Sequence, residues 1–112
     1  MSGKRWTERD RLSNEVYLTE ERWEHITSPI NHPEMADYEE ELKQTVQSGQ
    51  RKQDDLNPRK YRYSKRFGNL VEDNTHIEAV TIFGFSQNEE DQLVPNNYIV
   101  TAYQKEILST ND

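Results

Sequence analysis

The stretch that most constrains this chain is His76–Phe85 (HIEAVTIFGF). Ile77, Ala79, Thr81 and Phe83 alternate onto one face, while Val80, Ile82 and Phe85 add apolar content to the other. Alternation predicts a strand, and apolar side chains on both faces predict a central one. Tyr98–Tyr103 (YIVTAY) predicts a second strong strand, prolonged by Gln104 to Leu108. Between the two, Ser86 to Asn97 is expected to be a long acidic loop. Lys60–Lys65 alternates Tyr61 and Tyr63 with cations and suits a half-exposed strand. Asn14–Leu18 is shorter, with Val16 and Leu18 on one face, and reads as a strand or as an apolar entry to the next helix.

Ahead of these strands the period changes. Thr19 is a good helix N-cap, and Glu20 and Glu21 set negative charge at the positive end of the helix dipole. Leu18 before the cap and Trp23 at the fourth helical position form a hydrophobic staple. Trp23 and Ile26 share the buried face, Arg22 and His25 flank it, and Ser28-Pro29 ends the helix. Pro33 opens a second helix, capped by Asn31 or His32. Met35, Tyr38, Leu42 and Thr45 or Val46 keep its period, with Glu39, Glu40 and Lys43 solvated on the opposite face. Ser48-Gly49 stops it, with Gly49 expected in the left-handed conformation. Gln50–Pro58 reads as a polar loop, and Gly68-Asn69 as a turn. Helices followed by strands predict an α+β layer, with the helices on one face of an antiparallel sheet.

Only 31% of the 112 residues are hydrophobic, against about 45–50% for an average globular chain, counted there with Gly. The core is therefore thin, and six Tyr, three Phe and two Trp supply much of it. One domain over residues 13–109 is expected, with flexible tails at 1–12 and 110–112. Without cysteine there are no disulfides and no thiolate metal ligands, which fits a cytoplasmic protein. The charged N-terminus lacks the apolar run of a secretory signal, and no stretch approaches the roughly 18 apolar residues of a membrane span.

A net charge of -7 argues against a general nucleic-acid coat, because phosphate contacts need cations. The charge is unevenly spread. Acidic blocks lie at Glu34–Glu41 and Glu89–Asp91, whereas Arg51–Arg66 holds seven cations against two carboxylates, a local +5. Tyr61, Tyr63 and Phe67 sit among those cations, the composition of a surface that holds phosphates and stacks bases. The plain alternative is an edge strand guarded by charge. No phosphate-cradling Gly loop, metal motif, catalytic Cys or nucleophile elbow is present. What remains is acid–base chemistry from His, Lys, Arg, Tyr and Thr without metal or cofactor. That inventory suits cleavage of RNA by its own 2′-hydroxyl, since the substrate brings the nucleophile.

LTEERWEHI (Leu18–Ile26), HPE (His32–Glu34) with a Tyr-bearing helix, YRYSKR (Tyr61–Arg66), an apolar strand and IVTAY (Ile99–Tyr103) succeed one another in order. In that order, over residues 14–107, the chain resembles phage- and toxin-associated nucleases of the barnase–EndoU–colicin–RelE (BECR) class. The resemblance implies two N-terminal helices packed on a roughly four-stranded antiparallel sheet, and a metal-independent endoribonuclease of toxin type, with its site on the open sheet face and a 2′,3′-cyclic phosphate product. His25 would be general base or acid, Lys65 would stabilise the phosphate, and Thr101 would bind or orient it. Arg22, Tyr61, Arg66 and Tyr103 would contact substrate, the tyrosines by stacking a base or assisting proton transfer. RNA and an antitoxin or immunity protein would be the partners, as in a mobile element or toxin–antitoxin pair. The chain is more acidic than most ribonucleases, and Gly68–Thr75 and Ser86–Asn97 look like expanded loops. Taken singly, each residue also has an ordinary reading: a packed helix His, solvated strand cations, a Thr with β propensity. The competing function is a non-catalytic protein-interaction module on the same scaffold, docking through its acidic helix.

Overall fold

The computed structural model describes residues 3–108, which form an α+β layer. Strands β1 (Lys4–Arg9) and β2 (Glu15–Thr19) precede helix α1 (Glu20–Ile26), a 3-10 helix (Pro33–Asp37) and helix α2 (Glu39–Ser48). Strands β3 (Gln50–Gln53), β4 (Lys60–Arg66), β5 (His76–Gln87) and β6 (Leu93–Lys105) complete it. The sheet is six-stranded and mixed, in the order β1-β2-β6-β5-β4-β3, rather than four-stranded and antiparallel. Strands β3 to β6 pair antiparallel in sequence as a meander. The two further strands join it through a parallel contact of Val16 with Asn97 and Tyr17 with Tyr98. No helix among the described residues is long and apolar enough to cross a membrane.

The N-terminal segment corrects the expectation of a flexible tail over 1–12: Lys4–Arg9 is an edge strand paired with β2. Its charges hide the pattern, since an edge strand needs only one packed residue in a few and gains protection from the rest. Trp6 supplies that residue, packing on the core and donating to Glu39 at 2.8 Å. Arg5 binds both Glu20 and Glu39, so Glu39 on α2 is held by β1 rather than solvated. The turn after β1 is built on Asp10, whose Oδ1 accepts from the backbone of Leu12 and Asn14, each at 2.9 Å. Ser13 there has φ 68°. The tail expected at 110–112 lies outside the described residues.

Helix α1 starts as its residues dictate: the Arg22 amide donates to Thr19 Oγ1 at 3.0 Å, and Leu18, Trp23 and Ile26 are buried in one cluster. The second helix is broken at Tyr38, which separates the 3-10 turn from α2. His32 stands at the N-cap of the 3-10 helix without a side-chain cap bond. Met35, Leu42, Thr45 and Val46 all face the core. Gly49 is extended (φ -73°, ψ 166°), not left-handed. It is needed for closeness: a Cβ there would stand 2.4 Å from the Thr45 carbonyl oxygen and 2.8 Å from that of Ser64. The chain thus turns tightly from α2 into β3, which occupies the start of the expected polar loop.

Helix α2 packs on β4 and β5, and α1 on β2 and β6, so both cover one face of the sheet. That face presents Val16, Leu18, Tyr63, Ile77, Ala79, Ile99 and Ala102. The expected acidic loop at Ser86–Asn97 is instead a continuous hairpin, because β5 and β6 remain paired from Phe83 with Asn97 to Gln87 with Leu93. Only the turn between them carries the carboxylates. The register of this pair slips once: Val80 opposes Thr101, but Thr81 opposes Ile99, leaving Val100 as an extra residue. This bulge lets Ile99 and Ala102, three apart, both face the helices. It sends Thr101 and Tyr103 to the other side.

Candidate active site on the open sheet face

The opposite face of the sheet is uncovered by helices. Register alone predicts which side chains stand there. Arg62 opposes Val80, Ser64 opposes Glu78 and Arg66 opposes His76 across β4 and β5. Thr101, Tyr103 and Lys105 oppose Val80, Glu78 and His76 across β5 and β6. Glu78 is the centre of this grid and is 7% exposed. It accepts a hydrogen bond from the Tyr103 hydroxyl at 3.1 Å and lies 3.8 Å from Lys105 Nζ. These groups, with Arg62, Ser64, Gln50, Lys52 and Asp54, line an open cavity of about 760 Å³.

The charges in the cavity constrain one another. Arg62 donates to Asp54 at 3.0 Å, and this bond, followed by the adjacent Tyr103 phenol, raises the guanidinium's already high pKa. Asp54 is anchored by accepting from the amides of Leu56 (2.9 Å) and Asn57 (3.0 Å), and these bonds together with Arg62 hold its carboxyl below the usual range. Burial, then the Glu78 charge, pushes the Tyr103 phenol up, so it remains a neutral donor. His32 reaches the rim where β6 runs past the short β2: its ring centroid is 5.6 Å from that of Tyr103, and its Nδ1 is 3.7 Å from Glu34. His76 is held low first by burial, then by the positive charge of Arg66, and shares a 2.7 Å hydrogen bond with Thr75 Oγ1.

Pleating divides the residues singled out in the sequence. Thr101, Tyr103 and Arg66 are on the open face. Lys65 and Tyr61 are on the helix-covered face, opposite Ile77 and Thr81. Tyr61 there stacks against Phe83 at 4.7 Å, with Arg51 4.3 Å from its ring. His25 and Arg22 belong to α1; His25 is exposed, and its ring makes no hydrogen bond or ion pair among the described residues. The expected meeting of His25, Lys65 and Thr101 at one anion therefore does not form, because the sheet lies between Lys65 and Thr101. The residue that sequence reasoning missed is Glu78. Its signal was a lone carboxylate inside the most apolar run of the chain, where a charge is costly unless it has partners.

No group of three or more His, Asp or Glu side chains is gathered as metal ligands among the described residues. Comparison with known family models, with curated proteins and with solved structures returns no match.

Proposed function

We propose that this chain is a metal-independent endoribonuclease whose site is the open sheet face around Glu78. The observation that carries this reading is a nearly buried carboxylate joined to a neutral phenol and to Lys105, with Arg62 lining the same open cavity. Those are the groups that transphosphorylation of RNA requires. Glu78 takes the proton of the 2′-hydroxyl as the 2′-oxygen bonds to phosphorus. Arg62 and Lys105 neutralise the charge that grows on the phosphoryl oxygens. The bond from phosphorus to the 5′-oxygen breaks, and His32, packed on the Tyr103 ring, acts as general acid and gives a proton to that leaving oxygen. The products are a 2′,3′-cyclic phosphate and a 5′-hydroxyl, the outcome that the BECR resemblance also implies. In this reading the roles of base and cation pass from His25 and Lys65 to Glu78, Arg62 and Lys105.

The test is cleavage of total RNA in EDTA, with product ends identified by their cyclic phosphate. Glu78→Gln is expected to lower the rate by about 10²–10⁴, the range for loss of a general base. Arg62→Ala is expected to lower it comparably, while His25→Ala retains activity. Intact RNA at high protein concentration, or full activity in Glu78→Gln, would overturn the proposal. The first of these would leave the interaction module as the reading to pursue.

A further inference from the structure

Beyond the Glu78 cavity, a second and smaller one of about 410 Å³ opens where β4 outruns its edge partner. Pairing of β3 with β4 stops at Gln50 with Ser64, so Lys65 and Arg66 extend past the edge strand. Three separate parts of the chain bring basic side chains there: Arg11 from the β1–β2 turn, Lys65 and Arg66 from the end of β4, and His76 from the start of β5. Ser48 and Ser64 add hydroxyls. Arg11, Lys65 and Arg66, like most cations of the chain, have no ion pair among the described residues, and no carboxylate lines this cavity, whereas Asp54, Asp55 and Glu78 line the first. In a chain of net charge -7, a cavity walled by three cations and no carboxylate stands out. They are complementary to an anion supplied from outside.

The cavity adjoins the first, since Gln50 and Ser64 line both. Arg62 and Arg66 lie on the same face of β4 four residues apart, roughly 13 Å along the strand at about 3.3 Å per residue. One phosphate cannot reach both. We infer that the Arg11–Lys65–Arg66 cavity is a second phosphate subsite, holding a backbone phosphate of single-stranded RNA that continues from the Glu78 cavity. The inference deepens the nuclease reading and rests on it for the neighbouring phosphate, but not for binding itself. It also gives the N-terminal hairpin a purpose, because Arg11 is the one cationic wall of the groove that the β3–β6 meander does not supply. Cations placed merely to guard an edge strand would not act on one ligand together.

The experiment measures binding of a short 2′-O-methyl RNA, which cannot be cleaved, as a function of salt. Arg11→Ala, Lys65→Ala and Arg66→Ala are each compared with Lys43→Ala, an equal charge change on α2. The Arg66 and Lys65 variants are expected to weaken binding and flatten the slope of log Kd against log salt by about 0.7, the value for one single-strand phosphate left unneutralised. Arg11→Ala should act in the same direction, and Lys43→Ala should leave the slope unchanged. Equal slopes in all four variants, or no binding by the unaltered chain, would overturn the subsite. Arg66-dependent binding in a protein that never cleaves RNA would keep the subsite and sink the catalytic reading. Normal cleavage with Arg66-independent binding would do the reverse.

Discussion

The two faces of strand β5 carry opposite assignments on adjacent residues. Ile77 and Ala79 are fully buried under the helices, whereas Glu78 between them is nearly as buried yet satisfied by Tyr103 and Lys105 on the side away from the helices. Burial on the first face comes from apolar packing. Burial on the second comes from neighbouring polar side chains, which leave the carboxylate facing a cavity. Depth alone therefore does not separate a core position from a chemical one; the partners do.

The largest effect expected from this contrast comes from exchanging neighbours. Ile77→Ala should cost about 2–5 kcal/mol in urea unfolding, as removal of a buried aliphatic side chain generally does. Glu78→Gln, one residue on, should change stability by no more than about 1 kcal/mol while removing the proposed base. Similar destabilisation by both would break the division of labour.

A smaller effect is expected at the end of the sheet, where the helix-covered face holds one polar pair. Tyr63, 1% exposed, donates to Asp10 Oδ2 at 2.6 Å. Burial pushes the Asp10 carboxyl up, but bonds from Tyr63, Asn14 and Leu12 outweigh it and hold the group below its reference of 3.8. A carboxyl lowered on folding stabilises the fold above the unfolded value, and that contribution is lost as pH falls through the lowered one. Tyr63→Phe should cost about 1–3 kcal/mol at neutral pH and weaken the loss of stability below pH 3.8, measured by thermal melts across the acid range. An unchanged acid limb would show that Tyr63 does not set it. The smallest expected effect is at the helix start: Thr19→Ala should cost about 1 kcal/mol, read by chemical unfolding, through loss of the bond to the Arg22 amide. No loss would mean that the Leu18–Trp23 packing alone fixes the entry of α1.

Local signals in the sequence were reliable where one element determines its own form. Thr19, the staple pair and the alternation of β5 gave α1 and the central strand directly. Three features needed information from distant residues. The strand β1 is charged because it is an edge, and only its partner β2 identifies it. The Val100 bulge breaks the two-residue period of β6, so simple alternation puts Ile99 on a face with Thr101 and Tyr103 and assigns Ala102 to the other. The candidate site depended on the register between β4, β5 and β6: Lys65 opposes Ile77 and Thr101 opposes Val80, positions that point to opposite sides of β5, so the two end on opposite faces. Glu78 was legible only as an anomaly of composition within its strand.

The parallel contact between β2 and β6 has a kinetic consequence. It joins residues 16 and 17 to residues 97 and 98, so this seam cannot close until residue 98 has been synthesised. Closing so large a loop is entropically slow, and the gain arrives only with the last strand. The seam with β6 is consequently the late step, whereas the hairpin's bonds from Trp6 to Glu39 and from Tyr63 to Asp10 need no residue beyond Tyr63.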